Sequence, residues 1–177
     1  MSETVEKHKA EAPRKLRFAV VTISTSRFRL AERGESFRDD GGDIMVKLLT
    51  EAGHTIAYRG IAPDDPKHII GLLEKLLKMP EVEVIVTTGG TGVARRDVSI
   101  EAVRSILEKE LPGFGELLRM LSFQRIGSAA IMTRAVAGVA RGKAIFCLPG
   151  SPQAVELAVR ELIIPEAGHV VKHAREG

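Results

Sequence analysis

Cysteine is nearly missing from this chain. Cys147 stands alone among 177 residues. A lone cysteine excludes an internal disulfide and fits a reducing compartment. Tryptophan is absent and aromatics make up only 4% of residues, which leaves no set of stacking platforms for single-stranded nucleic acid. No apolar run approaches the ~20 residues of a membrane-spanning helix. The polar N-terminus lacks the apolar middle of a signal peptide. A cytoplasmic protein with no membrane partner is therefore expected. A strong charge of one sign is missing too. The net charge is +3, and residues 1–17 supply +2 of it, with five Lys/Arg against three Glu. The remainder is almost balanced, so the pI of 9.2 does not indicate a nucleic-acid partner.

What is present is ordinary globular material: 44% apolar and 28% charged residues, in a length that suggests one domain with a real core. Residues 1–15 are charged and aperiodic and read as a mobile arm. Residues 16–177 read as a single α/β domain. Its first buried strand is Phe18–Ile23, ending in the hydroxyls Ser24-Thr25-Ser26, which suit either turn chemistry or a site. Residues 27–37 read as a mobile loop. Asp39 or Asp40 caps a helix that runs to Gly53. Residues 54–61 alternate like a strand nearer an edge. Asp65 then caps a helix with Pro66 in its first turn, and Pro80 stops it. That leaves Asp64 free for another role.

The organising stretch is Val84-Ile85-Val86-Thr87-Thr88-Gly89-Gly90-Thr91-Gly92, followed by Val93-Ala94-Arg95-Arg96-Asp97. A short β-branched run suits a strand buried on both faces. Three glycines within four residues allow positive φ and a close approach of backbone amides to an anion. No Gly-Lys-Ser/Thr follows, so this is not a Walker loop. A helix is expected over residues 98–109, capped by Ser99 or Asp97, and another over 112–123, with Phe114, Leu117, Leu118 and Leu121 inward. Residues 130–137 and 143–148 read as strands. The link between them is too short for a parallel crossover, so the sheet should be mixed and mostly parallel. Ser151 and Pro152 start the last helix, which Pro165 and Gly168 interrupt. His169 and His173 have i, i+4 spacing but no evident third ligand, so no metal is assigned to them.

Four polar turns thus fall at carboxyl ends of strands: residues 24–26, 63–65, 88–97 and 149–152. In an open α/β sheet, ligands bind at that edge. Two separated acids, glycine amides and Arg95, Arg96 and Arg134 suit Mg²⁺-dependent phosphoryl or nucleotidyl transfer, since Mg²⁺ takes one or two carboxylates plus substrate phosphates. No Ser or Cys nucleophile stands with a paired His, which disfavours covalent hydrolysis. Composition and spacing do not name the substrate.

Thr87–Gly92 with Arg95-Arg96-Asp97-Val98 resembles the signature of the molybdopterin-binding family of molybdenum cofactor biosynthesis. So do Pro112-Gly113-Phe114-Gly115-Glu116, Ser122, Thr133-Arg134-Ala135-Val136-Ala137-Gly138 and Leu148-Pro149-Gly150-Ser151-Pro152. The likeness runs from about Phe18 to His173, and residues 114–123 resemble the B-protein branch. It implies a three-layer α/β/α fold around a mixed sheet, and a homo-oligomer, trimer or hexamer. It also implies adenylylation of molybdopterin by ATP with Mg²⁺ assisting and pyrophosphate released. The resemblance assigns Asp64 and Asp97 to catalysis and the metal. It assigns Ser24, Gly89, Gly90, Thr91, Gly92, Thr133, Arg134, Pro149, Gly150, Ser151 and Pro152 to ligand binding. Two departures stand out: Ser24-Thr25 where many members have Ser-Asp, and Asp39-Asp40-Gly41-Gly42 where many have Asp-x-Ser-Gly. The alternatives are a non-catalytic pterin-binding or scaffold protein of the same pathway, and an unrelated nucleotide-binding α/β protein.

Overall fold

Apolar runs with little polar relief end up side by side at the centre of one sheet. The computed structural model describes residues 12–176, so most of the arm expected over 1–15 lies outside the described residues. The strands are β1 (Arg17–Ile23), β2 (Thr55–Ala62), β3 (Val84–Thr88), β4 (Lys109–Glu110), β5 (Val136–Ala140) and β6 (Lys143–Leu148). Their spatial order is β2-β1-β3-β6-β5-β4. The pairs β1–β2, β1–β3 and β3–β6 are parallel, while β5–β6 and β4–β5 are antiparallel. The mixed, mostly parallel sheet expected from the short 138–142 link is present. β2 lies at an edge and is only part-buried, as its alternation implied.

Successive side chains point to opposite faces of a strand, so the central strands feed two cores. Phe18, Val20, Val86 and Phe146 face one side. There they meet α2 (Asp40–Glu51), α5 (Pro112–Ile126), α6 (Pro152–Ala158) and α7 (Ile164–Ala174) through Met45, Leu49, Leu118, Val155 and Val171. Ala19, Val21, Ile85 and Ile145 face the other side and meet α3 (Pro66–Lys78) and α4 (Ser99–Arg104) through Ile69, Leu73, Ile100 and Val103. The result is three layers, α/β/α. Among the described residues no helix is long and apolar enough to cross a membrane.

Several expectations fail for local reasons. Residues 25–32 form a helix, α1 (Thr25–Glu32), where a loop was expected. It buries no residue, so it carries no apolar periodicity to read; Ser24 caps it by accepting from the Arg27 amide. The helix after residue 98 ends at Arg104, because Glu108 and Leu111 donate backbone bonds to Val139 and Ala137 and draw β4 onto the sheet edge. Residues 130–135 are not strand. Gly127 (φ +61°) ends α5, and a 3₁₀ turn over Gly127–Met132 precedes β5. Leu117 faces solvent rather than the core. The last helix is not broken at Pro165 or Gly168. A π turn over Val159–Ile163 joins α6 to α7 without a gap, and Pro165, which has no N–H to donate to the helix, is the second residue of α7.

Candidate active site

The register of the parallel strands brings Ile23, Ala62, Thr88 and Leu148 to one edge of the sheet, each followed by a polar turn. The glycine turn after β3 forms the centre of that edge. Gly89 has φ +97°, and a Cβ there would run into the Ile23 carbonyl oxygen. Gly90 has φ +62°, and a Cβ there would crowd Ser99 Oγ and stand 2.5 Å from Asp64 Oδ1. Only glycine fits both constraints at both positions. The turn is stitched to its neighbour: the Gly89 amide donates to Leu148 O (3.2 Å), and Thr88 Oγ1 donates to Pro149 O (2.7 Å). The Gly89 amide is therefore engaged, whereas those of Gly90, Thr91 and Gly92 donate to no group among the described residues.

Both acids reach this turn. Asp64 Oδ2 accepts from the Thr25 amide (3.0 Å) and hydroxyl (3.1 Å), and Thr25 Oγ1 accepts from the Asp64 amide (2.9 Å). That reciprocal link fixes the carboxylate and leaves Oδ1 against Gly90. An aspartate at position 25 would set a second carboxylate beside Asp64; threonine holds it with donors instead. On the other flank, Asp97 Oδ2 accepts from the Ala94 amide (2.9 Å) and stands 2.5 Å from where a Gly92 Cβ would be. Asp97 is not the cap of α4, whose first turn has no side-chain cap.

A cleft of about 550 Å³ opens beside the turn, lined by Gly90, Thr91, Gly92, Asp97, Thr133, Pro149, Gly150 and Ser151. Pro152 instead lines a smaller hollow of about 150 Å³ on the other side, shared with Gly89 and Gly150. Ser151 also caps α6. Ser24 and Asp64 do not line the main cleft; Asp64 meets the turn through Gly90. Arg134 does not face the cleft either. Its guanidinium donates to Gly92 O (2.7 Å) and pairs with Glu101, so it braces the glycine turn from behind. Burial alone would raise the Glu101 pKa, but the hydrogen bond from Arg134, a backbone hydrogen bond and the charges of Arg134 and Arg104 together outweigh it and hold that carboxyl below its ordinary value. Cys147, fully buried, has its thiol pushed up to about 12 by desolvation and is chemically quiet.

Among the described residues no group of three or more His, Cys, Asp or Glu is placed to hold a metal. His169 and His173 bond Glu166 and Glu176 on or next to α7. Two carboxylates stand at the glycine turn instead, Asp64 against Gly90 and Asp97 against Gly92, each with one oxygen fixed by a backbone amide. Carboxylate oxygens of this kind are the donors Mg²⁺ takes, one or two at a time, together with water and phosphate oxygens.

Residues 19–169 match the family described as "Probable molybdopterin binding domain". The chain is 44% identical over 170 residues to Molybdenum cofactor biosynthesis protein B of Halalkalibacterium halodurans, covering 96% of each. It is 40% identical over 176 residues to the molybdopterin adenylyltransferase of Pyrococcus furiosus, covering 97% of this chain and 99% of that one. The crystal structure of the tungsten cofactor synthesizing protein MoaB from the same organism superposes with a TM-score of 0.81 at 38% identity, covering 93% and 100%. The chain belongs to the molybdopterin-binding family.

Three further polar residues of this family member line the cleft without having been singled out by spacing: Ser122, Arg125 and Gln153. Ser122 lies in a stretch that resembles the family, so a signal existed; Arg125 and Gln153 sit on helix faces with no pattern to mark them. Asp39, which caps α2 through the Gly42 amide, is buried and accepts from Thr22 Oγ1 (2.9 Å) and Arg59 (3.3 Å). Gly42 leaves room for it, since a Cβ there would collide with the Asp39 carboxylate. The second departure from the family pattern is Gly41, whose added Cβ would stand 3.4 Å from Thr88 Cγ2 in the smaller hollow.

Proposed function

We propose that this chain adenylylates molybdopterin. In that reaction an oxygen of the terminal phosphate of molybdopterin attacks the α-phosphate of ATP. A phosphoanhydride bond forms, the bond between the α- and β-phosphates breaks, and pyrophosphate leaves with the electron pair. The observation that carries the reading is the arrangement of Asp64 and Asp97. Each has one oxygen held by a backbone amide, and each stands against a glycine of a turn with unengaged amides.

The chemistry asks the protein to hold two polyanions in line and to offset charge. The amides of Gly90, Thr91 and Gly92 are suited to phosphate oxygens. Thr133 and Ser151 add hydroxyls at the rim of the cleft. Asp64 and Asp97 would hold Mg²⁺, which when bound neutralises phosphate charge. Thr25 fixes the rotamer of Asp64, and Ala94 that of Asp97, so neither must reorganise as charge moves. The name of the P. furiosus relative supports this activity, as does the likeness to the tungsten cofactor synthesizing protein MoaB of the same organism. A homo-oligomer, trimer or hexamer, and a cytoplasmic location belong to the same proposal.

The test is pyrophosphate release from molybdopterin and Mg-ATP. The wild-type protein should release it, and absence of release from folded protein overturns the reading. Asp97→Asn keeps an oxygen for the Ala94 amide, so it should fold normally and bind pterin as before. Its turnover should fall by roughly 10²–10³-fold, the cost of removing one group that offsets transition-state charge. An unchanged rate would remove Asp97 from the reaction.

A further inference from the structure

Three buried side-chain polar atoms have no hydrogen-bond partner among the described residues: His54 Nε2, Thr87 Oγ1 and Ser99 Oγ. Of these, only Ser99 Oγ lies at the glycine turn. Ser99 is wholly buried, and its amide donates to the Gly90 carbonyl (2.9 Å). Its hydroxyl and Asp64 Oδ1 crowd one point beside Gly90, the point a Cβ would take. The other oxygen of Asp64 is already engaged by Thr25. An unpartnered buried hydroxyl is destabilising, and alanine would fill the same space without that cost. A hydroxyl kept there, next to the free oxygen of a proposed metal-binding carboxylate, points to work done when ligand arrives.

We propose that Ser99 is a positioning residue for Asp64: its hydroxyl donates to Asp64 Oδ1 and holds that oxygen turned toward the phosphate-bearing side of the glycine turn. The inference rests on the adenylylation reading and deepens it. Ser99 Oγ and Asp64 Oδ1 both lie within 2.5 Å of the same point beside Gly90, so rotation of the Ser99 side chain is the movement that would close the bond. Thr25 fixes one end of the carboxylate and Ser99 the other, which leaves Asp64 a single orientation toward a divalent ion. Ser99 itself touches neither the phosphates nor the ion.

Two variants test this, with two readouts. Ser99→Ala should melt at or slightly above the wild-type temperature, because a destabilising hydroxyl is gone. Its turnover should drop about tenfold, the usual effect of losing one hydrogen bond to a charged group, with KM for molybdopterin unchanged. The magnesium concentration giving half-maximal rate should rise by a similar factor. Ser99→Thr keeps the hydroxyl and should restore the magnesium dependence to within about threefold of wild type. The second readout needs no turnover: Mn²⁺ binding in the presence of ATP, followed by electron paramagnetic resonance, should weaken in Ser99→Ala and recover in Ser99→Thr. Wild-type rate and wild-type Mn²⁺ affinity in Ser99→Ala overturn the inference while leaving the adenylylation reading intact. A wild-type protein that binds Mn²⁺–ATP but releases no pyrophosphate overturns the adenylylation reading, and the Mn²⁺ comparison then still decides the role of Ser99.

Discussion

Two glycines of this chain, equal in the sequence, differ in what a methyl group does to them. Gly89 stands at φ +97° with the Ile23 carbonyl where its Cβ would go, whereas Gly71 lies inside α3 with nothing within 4 Å of that position. Gly89→Ala should cost about 2 kcal/mol or more and abolish the turn at the proposed site. Gly71→Ala should stabilise by about 0.5–1 kcal/mol, since glycine is the poorest ordinary helix former after proline. Urea midpoints of the two variants check both signs, and a stable, active Gly89→Ala would mean the turn tolerates another path. The importance of the glycine cluster was legible because three glycines closing a β-branched run weaken a strand and serve only a tight turn or a close backbone approach. That Asp64 is not the helix cap was legible by elimination, since Asp65 serves as the cap. Thr25, the actual anchor of Asp64, and Ser99 were not, because a single hydroxyl carries no periodicity and its meaning lies in a neighbour 35 or 39 residues away.

At the scale of elements, what the sequence conveyed was burial, and what it hid was whatever is not buried. The core strands and α3 announced themselves by apolar pattern. α1 did not, because it covers nothing, and residues 130–135 looked like strand because an apolar 3₁₀ turn has the same composition. The joint between β1 and β2 shows a further device. His54, just before β2, accepts the Leu16 amide on Nδ1 (3.3 Å), and its ring packs on Phe18 with centroids 4.9 Å apart. Burial lowers its pKa below the ordinary 6.5, so the folded protein holds it neutral. The unfolded chain then binds more protons than the native state as pH falls below about 6.5, and stability is lost from there down through the folded pKa. Above 6.5 this contribution is fully present. Protonation would also remove the acceptor that the Leu16 amide uses. His54→Asn supplies a neutral acceptor that does not titrate. Thermal melts at pH 7.5 and pH 5 should show a smaller acid-induced drop in the variant than in wild type. Equal drops would assign the acid sensitivity to other groups.

For the whole molecule, the fold explains where the proposed site lies, and one surface remains that the fold does not use. Leu117, Met120, Phe123 and Ile126 on α5, with Ile131 and Met132 after it, are exposed large apolar residues concentrated within 16 positions. An exposed apolar concentration of that kind marks an interaction surface more often than it stays bare. The expected trimer or hexamer supplies an occupant: another copy of the same face or its complement. Ile126 and Met132 also line the main cleft, so the surface abuts the proposed active site. Phe123 and Ile131 do not, and at 62% and 82% exposure they can be changed without opening either core. Light scattering of the wild type should give three or six times the chain mass of 19.2 kDa. Phe123→Glu with Ile131→Glu should reduce that mass, because charge cannot be buried there without a partner, while the circular dichroism spectrum is retained. A pyrophosphate assay on the dissociated variant then separates assembly from chemistry: retained turnover means each protomer holds a complete site, and lost turnover means the neighbouring copy shapes the cleft through Ile126 and Met132. A wild type that scatters as a 19.2 kDa monomer at micromolar concentration would overturn the assembly and leave this apolar face to another partner.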